Sequence, residues 1–101
     1  MYELIESNEF STWLKSLVDQ KTIKIIARRL ERAANGHFGD HHKTDGPVWE
    51  MRIDHGPGYR IYYAIAQGMV CVILAGGTKK GQNRDIERAE KILTIYRDAQ
   101  S

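Results

Sequence analysis

Apolar and polar positions alternate with a period of two in two successive stretches, residues 48–54 and 59–66. In the first, Trp49, Met51 and Ile53 oppose Glu50 and Arg52; in the second, Tyr59, Ile61, Tyr63 and Ile65 oppose Arg60 and Tyr62. Such alternation is the signature of half-buried strands. A third run, residues 69–75, is apolar almost throughout, as a central strand is. His55-Gly-Pro-Gly58 and Gln67-Gly68 stand between the runs, where hairpin turns are needed. The pattern predicts an antiparallel meander, apolar on one face and carrying Arg52 and Arg60 on the other.

Either side of the meander the period lengthens to that of a helix. Phe10, Trp13, Leu14 and Leu17 are spaced i, i+3, i+4, i+7, and Ser7 or Asn8 can cap their helix. Asp19 suits the N-cap of a second helix whose stripe is Ile23, Ile26, Ala27, Leu30, Ala33 and Ala34, with Asn35-Gly36 as its stop. The short join predicts an antiparallel helical hairpin. Residues 2–6 read as a short edge strand, and 36–47 (GHFGDHHKTDGP) as the one long loop. After a Gly-rich segment at 76–83, Asn83 is placed to cap a last helix bearing Ile86, Ala89, Ile92, Leu93 and Tyr96. The predicted order is β-α-α-β-β-β-α. The predicted class is α+β: helices on one face of a small antiparallel sheet.

Length and composition narrow the picture modestly. A chain of 101 residues is expected to form one domain, 1–101, with a single core. The acidic N-terminus lacks the apolar core of a targeting peptide, and no apolar run approaches the ~20 residues that span a bilayer. The lone Cys71 excludes an internal disulfide, so a cytoplasmic protein without a membrane partner is expected. The net charge is only +2; its distribution matters more, because the strand face and Lys79-Lys80 are locally basic.

Candidate chemistry is mostly excluded. His37, His41 and His42, with Asp40 or Asp45, are conceivable metal ligands, but so Gly-rich a loop is a poor scaffold, and no metal or other cofactor is expected. Ser7, Ser11, Ser16 and Ser101 lie outside any nucleophile elbow, and Cys71 reads as a small core residue. Gly76 to Gly81 has the outline of a phosphate loop, yet Gln82-Asn83 replaces the Lys-Ser/Thr that would hold magnesium. Anion binding survives. Arg52 and Arg60 share a sheet face, Lys79 and Lys80 follow the next strand, and Tyr62 is placed for stacking. That combination suits single-stranded RNA better than a small metabolite. The plainer alternative pairs Arg52 with Glu50 or Asp54 as surface decoration.

Several motifs together resemble the bacterial RelE/ParE toxin superfamily, and within it the addiction module killer branch related to HigB-like toxins. They are Trp13-Leu14 with Leu17-x-Asp19, Arg29-Leu-x-Arg32, Asn35-Gly-x-Phe-Gly-Asp40, Glu50-x-Arg-Ile53, Gly56-Pro-Gly-Tyr-Arg-Ile-Tyr62, Leu74-x-Gly-Gly-x-Lys79 and Gln82-x-x-Asp-Ile86. They run in order over nearly the whole chain.

The resemblance implies a RelE-like fold and the toxin of a type II toxin–antitoxin pair. It implies a ribosome-dependent, metal-independent endoribonuclease that cuts messenger RNA by attack of a 2′-OH, leaving a cyclic phosphate. Arg60 matches an arginine that contacts the scissile phosphate, Arg52 a basic strand residue, and Lys79 or Lys80 a further cation after the last strand. Arg52, Arg60 and Lys79 are thus the expected catalytic residues, with Lys80, Tyr59, Tyr62, Gln82 and Lys43 on the RNA. The implied partners are messenger RNA, the ribosome and an adjacently encoded, helix-turn-helix antitoxin, through which alone operator DNA is bound. Two departures stand out: Glu50 replaces a strand lysine of some relatives, and Ile86 falls near a tyrosine they use. The general acid is left among Tyr59, Tyr62, His55 and His42. A gyrase-directed toxin, or a detoxified antitoxin-binding module, is the alternative.

Overall fold

A computed structural model describes residues 1–100; Ser101, one of the serines considered above, lies outside them. Strand β1 (Glu3–Glu6) leads into helices α1 (Asn8–Ser16) and α2 (Gln20–Ala34). Strands β2 (His41–Lys43), β3 (Trp49–Ile53), β4 (Tyr59–Ala66) and β5 (Val70–Thr78) follow, and a single 3₁₀ turn, Lys79–Gly81, enters α3 (Gln82–Gln100). The class is α+β, as expected, with a five-stranded sheet in the order β1-β5-β4-β3-β2.

Local chemistry accounts for most boundaries. The Ser7 hydroxyl accepts the Phe10 N–H at 3.0 Å to start α1, and the Asp19 carboxylate accepts the Lys21 N–H at 3.0 Å to start α2. Gly36, at φ +89°, ends α2. Gln67 and Gly68 both take positive φ, which lets β4 fold tightly onto β5.

Four features differ from the sequence expectation. The sheet is mixed, because β1 runs parallel to β5, pairing Glu3 with Val70 and Glu6 with Ile73. The histidine loop contributes an extra edge strand, β2, pairing His41 with Met51 and Lys43 with Trp49. All three β2 residues are exposed, so no hydrophobic alternation announces it. Gly76 and Gly77 lie in β5 rather than in a loop, and α3 begins at Gln82, one residue before the expected cap. Finally, the helices occupy both faces.

Phe10, Ile26, Leu30 and Ala33 of α1 and α2 pack on Met51, Ile53, Ile61, Tyr63, Cys71 and Ile73. Ala89 and Leu93 of α3 pack on the opposite face, against Val48, Tyr62, Ala64, Val72, Leu74 and Ala75. Each large apolar side chain so buried contributes about 1.5–3 kcal/mol. The α3 layer leaves one end of its face uncovered. Tyr62 pairs with Ala75 beneath the helix, whereas Arg60 pairs with Gly77 level with its first turn. The cationic residues therefore lie where the helix begins.

Candidate functional site

Arg52 and Arg60 are direct cross-strand partners on β3 and β4, so their side chains leave the same face of the sheet. Like charges in that position repel. The structure resolves the conflict with Glu50, two residues before Arg52 and only 3% exposed. Its Oε1 accepts Arg52 Nε–H at 3.1 Å and Arg60 Nη1–H at 3.2 Å. Gln82, the first residue of α3, donates Nε2–H to both carboxylate oxygens, at 3.2 and 3.0 Å. One buried acid thus joins β3, β4 and α3. The pairing of Arg52 with Glu50 is real, but it belongs to a buried network and not to surface decoration.

Beside this network opens a cleft of about 170 Å³, lined by Asp40, Arg52, Ile53, Asp54, Gly58, Arg60 and Lys79. Arg60 forms part of its wall while remaining 93% covered, and the Arg52 side chain is 39% exposed. Lys79 is fixed through its backbone N–H, which donates to Gly58 O at 2.7 Å across the β3–β4 turn. A second depression of about 330 Å³ shares Lys79 and continues past Lys80, Gln82 and Arg84. Cations from β3, β4 and the end of β5 therefore converge on one strip. Another hollow, of about 420 Å³ between α1 and α3, is lined by Trp13 and Arg88 and lies apart from these cations.

Helix α2 supplies the support. Arg29 Nη1–H donates to the backbone oxygen of Arg52 at 2.6 Å, and Nη2–H to those of Phe38 at 2.9 Å and Asp40 at 3.3 Å. Burial, first, and then neighbouring Arg32 pull the Arg29 pKa below its ordinary value. Gly39 sits at φ +65° against this guanidinium, where a Cβ would crowd Arg29.

The glycines in β5 are explained by close approach. A Cβ on Gly76 would enter the Trp13 ring on one face, and a Cβ on Gly77 would meet the Asp85 carboxylate on the other. Asp85 is itself mostly buried and accepts Arg88 Nη2–H at 2.6 Å.

Among the remaining predicted residues the outcomes divide. Gln82 reaches the network through Glu50. Lys80 is exposed on the shared strip. Tyr59 is half-buried, its ring edge-on to Trp13 at 6.2 Å. Tyr62 is not a stacking platform: its ring is fully buried beneath α3, and its hydroxyl has no partner. Burial, then Glu50 and Asp85, push its pKa upward, so it stays protonated. Lys43 is remote from the cleft, pairing with Trp49 at the other end of β3 and donating Nζ–H to Gly46 O at 3.1 Å.

Of the four proton-donor candidates, His42 hydrogen-bonds a residue lining the cleft, Asp40, at 3.1 Å. His55 lies 3.9 Å from Asp19. No group of three or more His, Cys, Asp or Glu is arranged for a metal among the described residues. Sequence reasoning missed Glu50 as the hub and Arg29 as the clamp. The signal for Glu50 was present, since it shares a strand face with Arg52.

Residues 12–97 match the family described as phage-derived protein Gp49-like (DUF891). An uncharacterized protein of Haemophilus influenzae is 36% identical over 81 residues, covering 80% of this chain and 82% of its own. The crystal structure of the intact E. coli RelBE toxin–antitoxin complex contains a chain that superposes with a TM-score of 0.64 at 12% identity, over 77% of this chain and 96% of that one.

Proposed function

The chain belongs to the phage-derived Gp49-like family and has a RelE-like fold, and from that premise we propose that it is the toxin of a type II toxin–antitoxin pair and cuts messenger RNA. The finer kinship, to the addiction-module killer branch and its HigB-like toxins, rests on the Gly56–Tyr62 and Leu74–Lys79 motifs. The observation that carries the nuclease reading is the convergence of Arg52, Arg60 and Lys79 on one cleft.

Breaking a phosphodiester through the neighbouring 2′-oxygen passes through a phosphorane with extra negative charge, which fixed cations stabilise. The 2′-oxygen bonds to phosphorus, the P–O5′ bond breaks, and the products are a 2′,3′-cyclic phosphate and a free 5′-hydroxyl. Arg60, held by Glu50 and largely removed from water, is the natural partner of the phosphorane oxygens. Arg52 and Lys79 flank it, and Lys80 and Arg84 continue the strip for the neighbouring phosphates. Asp40 and Asp54 line the cleft, His42 is hydrogen-bonded to Asp40 behind it, and these groups can take and return the protons. Expected partners are messenger RNA in the ribosome and a small antitoxin encoded alongside; the RelE-like neighbour was solved within a toxin–antitoxin complex.

Induced expression without the neighbouring gene is expected to arrest growth and to produce new in-frame cuts by primer extension. Arg60→Ala is expected to slow cleavage by about 100-fold or more, the usual loss for one oxyanion donor. Intact messages during arrest, with inhibited supercoiling, would replace this reading with a gyrase-directed toxin.

A further inference from the structure

We propose that Glu50 is a positioning residue: it holds Arg52, Arg60 and Gln82 as one preset anion-binding array and removes one unit of charge from it. The proposal rests on the nuclease reading above and assigns a role to the buried acid that stands behind the two arginines of the cleft. Glu50 is 3% exposed, and its Oε1 receives three donors from three different elements. A proton acceptor in the reaction would need a lone pair turned to the substrate, whereas this carboxylate spends its oxygens on the protein's own donors.

Each arginine, moreover, meets Glu50 through a single N–H. Arg52 uses Nε, leaving both terminal nitrogens outside that contact, and Arg60 uses Nη1. The remaining N–H groups stay available to a phosphate. Arginine is long and loses rotamer freedom when it binds; fixing it beforehand removes that cost from the binding step. The same carboxylate also weakens the attraction between the array and any polyanion. The geometry therefore gives up affinity for placement.

The consequence is a split between binding and turnover. Binding is read with an RNA oligonucleotide carrying a 2′-deoxy substitution at the cut site, and turnover by single-turnover cleavage on programmed ribosomes. Glu50→Ala is expected to bind the oligonucleotide about two- to tenfold more tightly, with a salt slope steeper by about 0.7 for one added phosphate contact. Its cleavage is expected to fall at least about tenfold, because the phosphate is no longer held in line. Glu50→Gln keeps an acceptor for the arginines and should recover part of the cleavage.

In the free protein, the Arg52 Nε and Arg60 Nη proton signals in ¹⁵N NMR should be resolved and slowly exchanging in the parent and lost in Glu50→Ala. Unchanged binding and cleavage in both variants would overturn the proposal. So would parallel loss of binding, cleavage and melting temperature, the mark of a merely structural residue. Should Glu50→Ala not fold, the isosteric Glu50→Gln carries the same comparison. A parent protein that cuts no RNA would sink the nuclease reading alone, since the binding and NMR measurements decide the role of Glu50 without cleavage.

Discussion

At the scale of single residues, the glycines and the cysteine show how tightly the sheet is enclosed. Gly76→Ala would drive a methyl group into the Trp13 ring, and Gly77→Ala into the Asp85 carboxylate. Overpacking of this kind costs about 1–3 kcal/mol. Under the proposed nuclease function, Gly77→Ala should also reduce cleavage, because it pushes α3 away from the row that holds Arg60; denaturant melts and the primer-extension assay check the two effects. Cys71 is fully buried, and burial pushes its thiol up to about 12. It should resist a thiol reagent at pH 8 until denaturant is added; labelling of the native protein at the rate of free cysteine would refute this. A thiol that titrates higher when folded favours the fold below its ordinary 9.0 and ceases to do so as pH rises towards about 12.

At the scale of elements, the caps were legible and the third layer was not. Ser7 and Asp19 were readable as helix starts because capping is a local matter of one side chain and the next turn. Asp19 carries a pH prediction. The Thr22 hydroxyl first, then the Lys21 N–H, hold its carboxyl below the ordinary 3.8. A lowered value stabilises the fold above 3.8 and loses that contribution as pH falls through the lowered one. The stability gap between Asp19→Ala and its parent should therefore narrow in acid, as thermal melts at descending pH will show.

The strands β3, β4 and β5 were readable from their alternation, but β2 was not, since three exposed residues pair through backbone alone. The run at 69–75 held a clue that the expected layering did not use. A strand apolar on both sides needs a cover on each, and α3 is that second cover. The same oversight explains Tyr62, which alternation put on the arginine face while α3 buries it. For the candidate site, the gathering of Arg52, Arg60 and Lys79 in one region was readable from type and position, and the three do line one cleft. The Arg52–Glu50 pair, two positions apart, was within reach of the sequence; the ties of Arg60 and Gln82 to Glu50 and of Arg29 to the Arg52 backbone were not, because they join groups 10 to 32 positions apart. Arg29→Met tests the clamp. It removes three donors to backbone oxygens and should cost about 2–4 kcal/mol in urea melts, with faster amide exchange around Gly39 and Arg52.

At the scale of the whole molecule, two apolar cores lie on opposite faces of one sheet and share few partners. Ile26→Val in one should cost about 1 kcal/mol and Leu93→Ala in the other about 2–4 kcal/mol. Because the sites are separated by the sheet, the double variant should show the sum to within about 0.5 kcal/mol; strong coupling would mean that the layers deform together. The parallel seam between β1 and β5 reaches further. Ser7, at the seam's end, bonds Leu74, 67 residues later in sequence, so β1 cannot dock until β5 has been made. Gln82, Lys79 and Lys80 come later still. A nascent chain that has not yet presented residues 79–82 therefore has no complete cationic cleft, however much of the sheet has already formed.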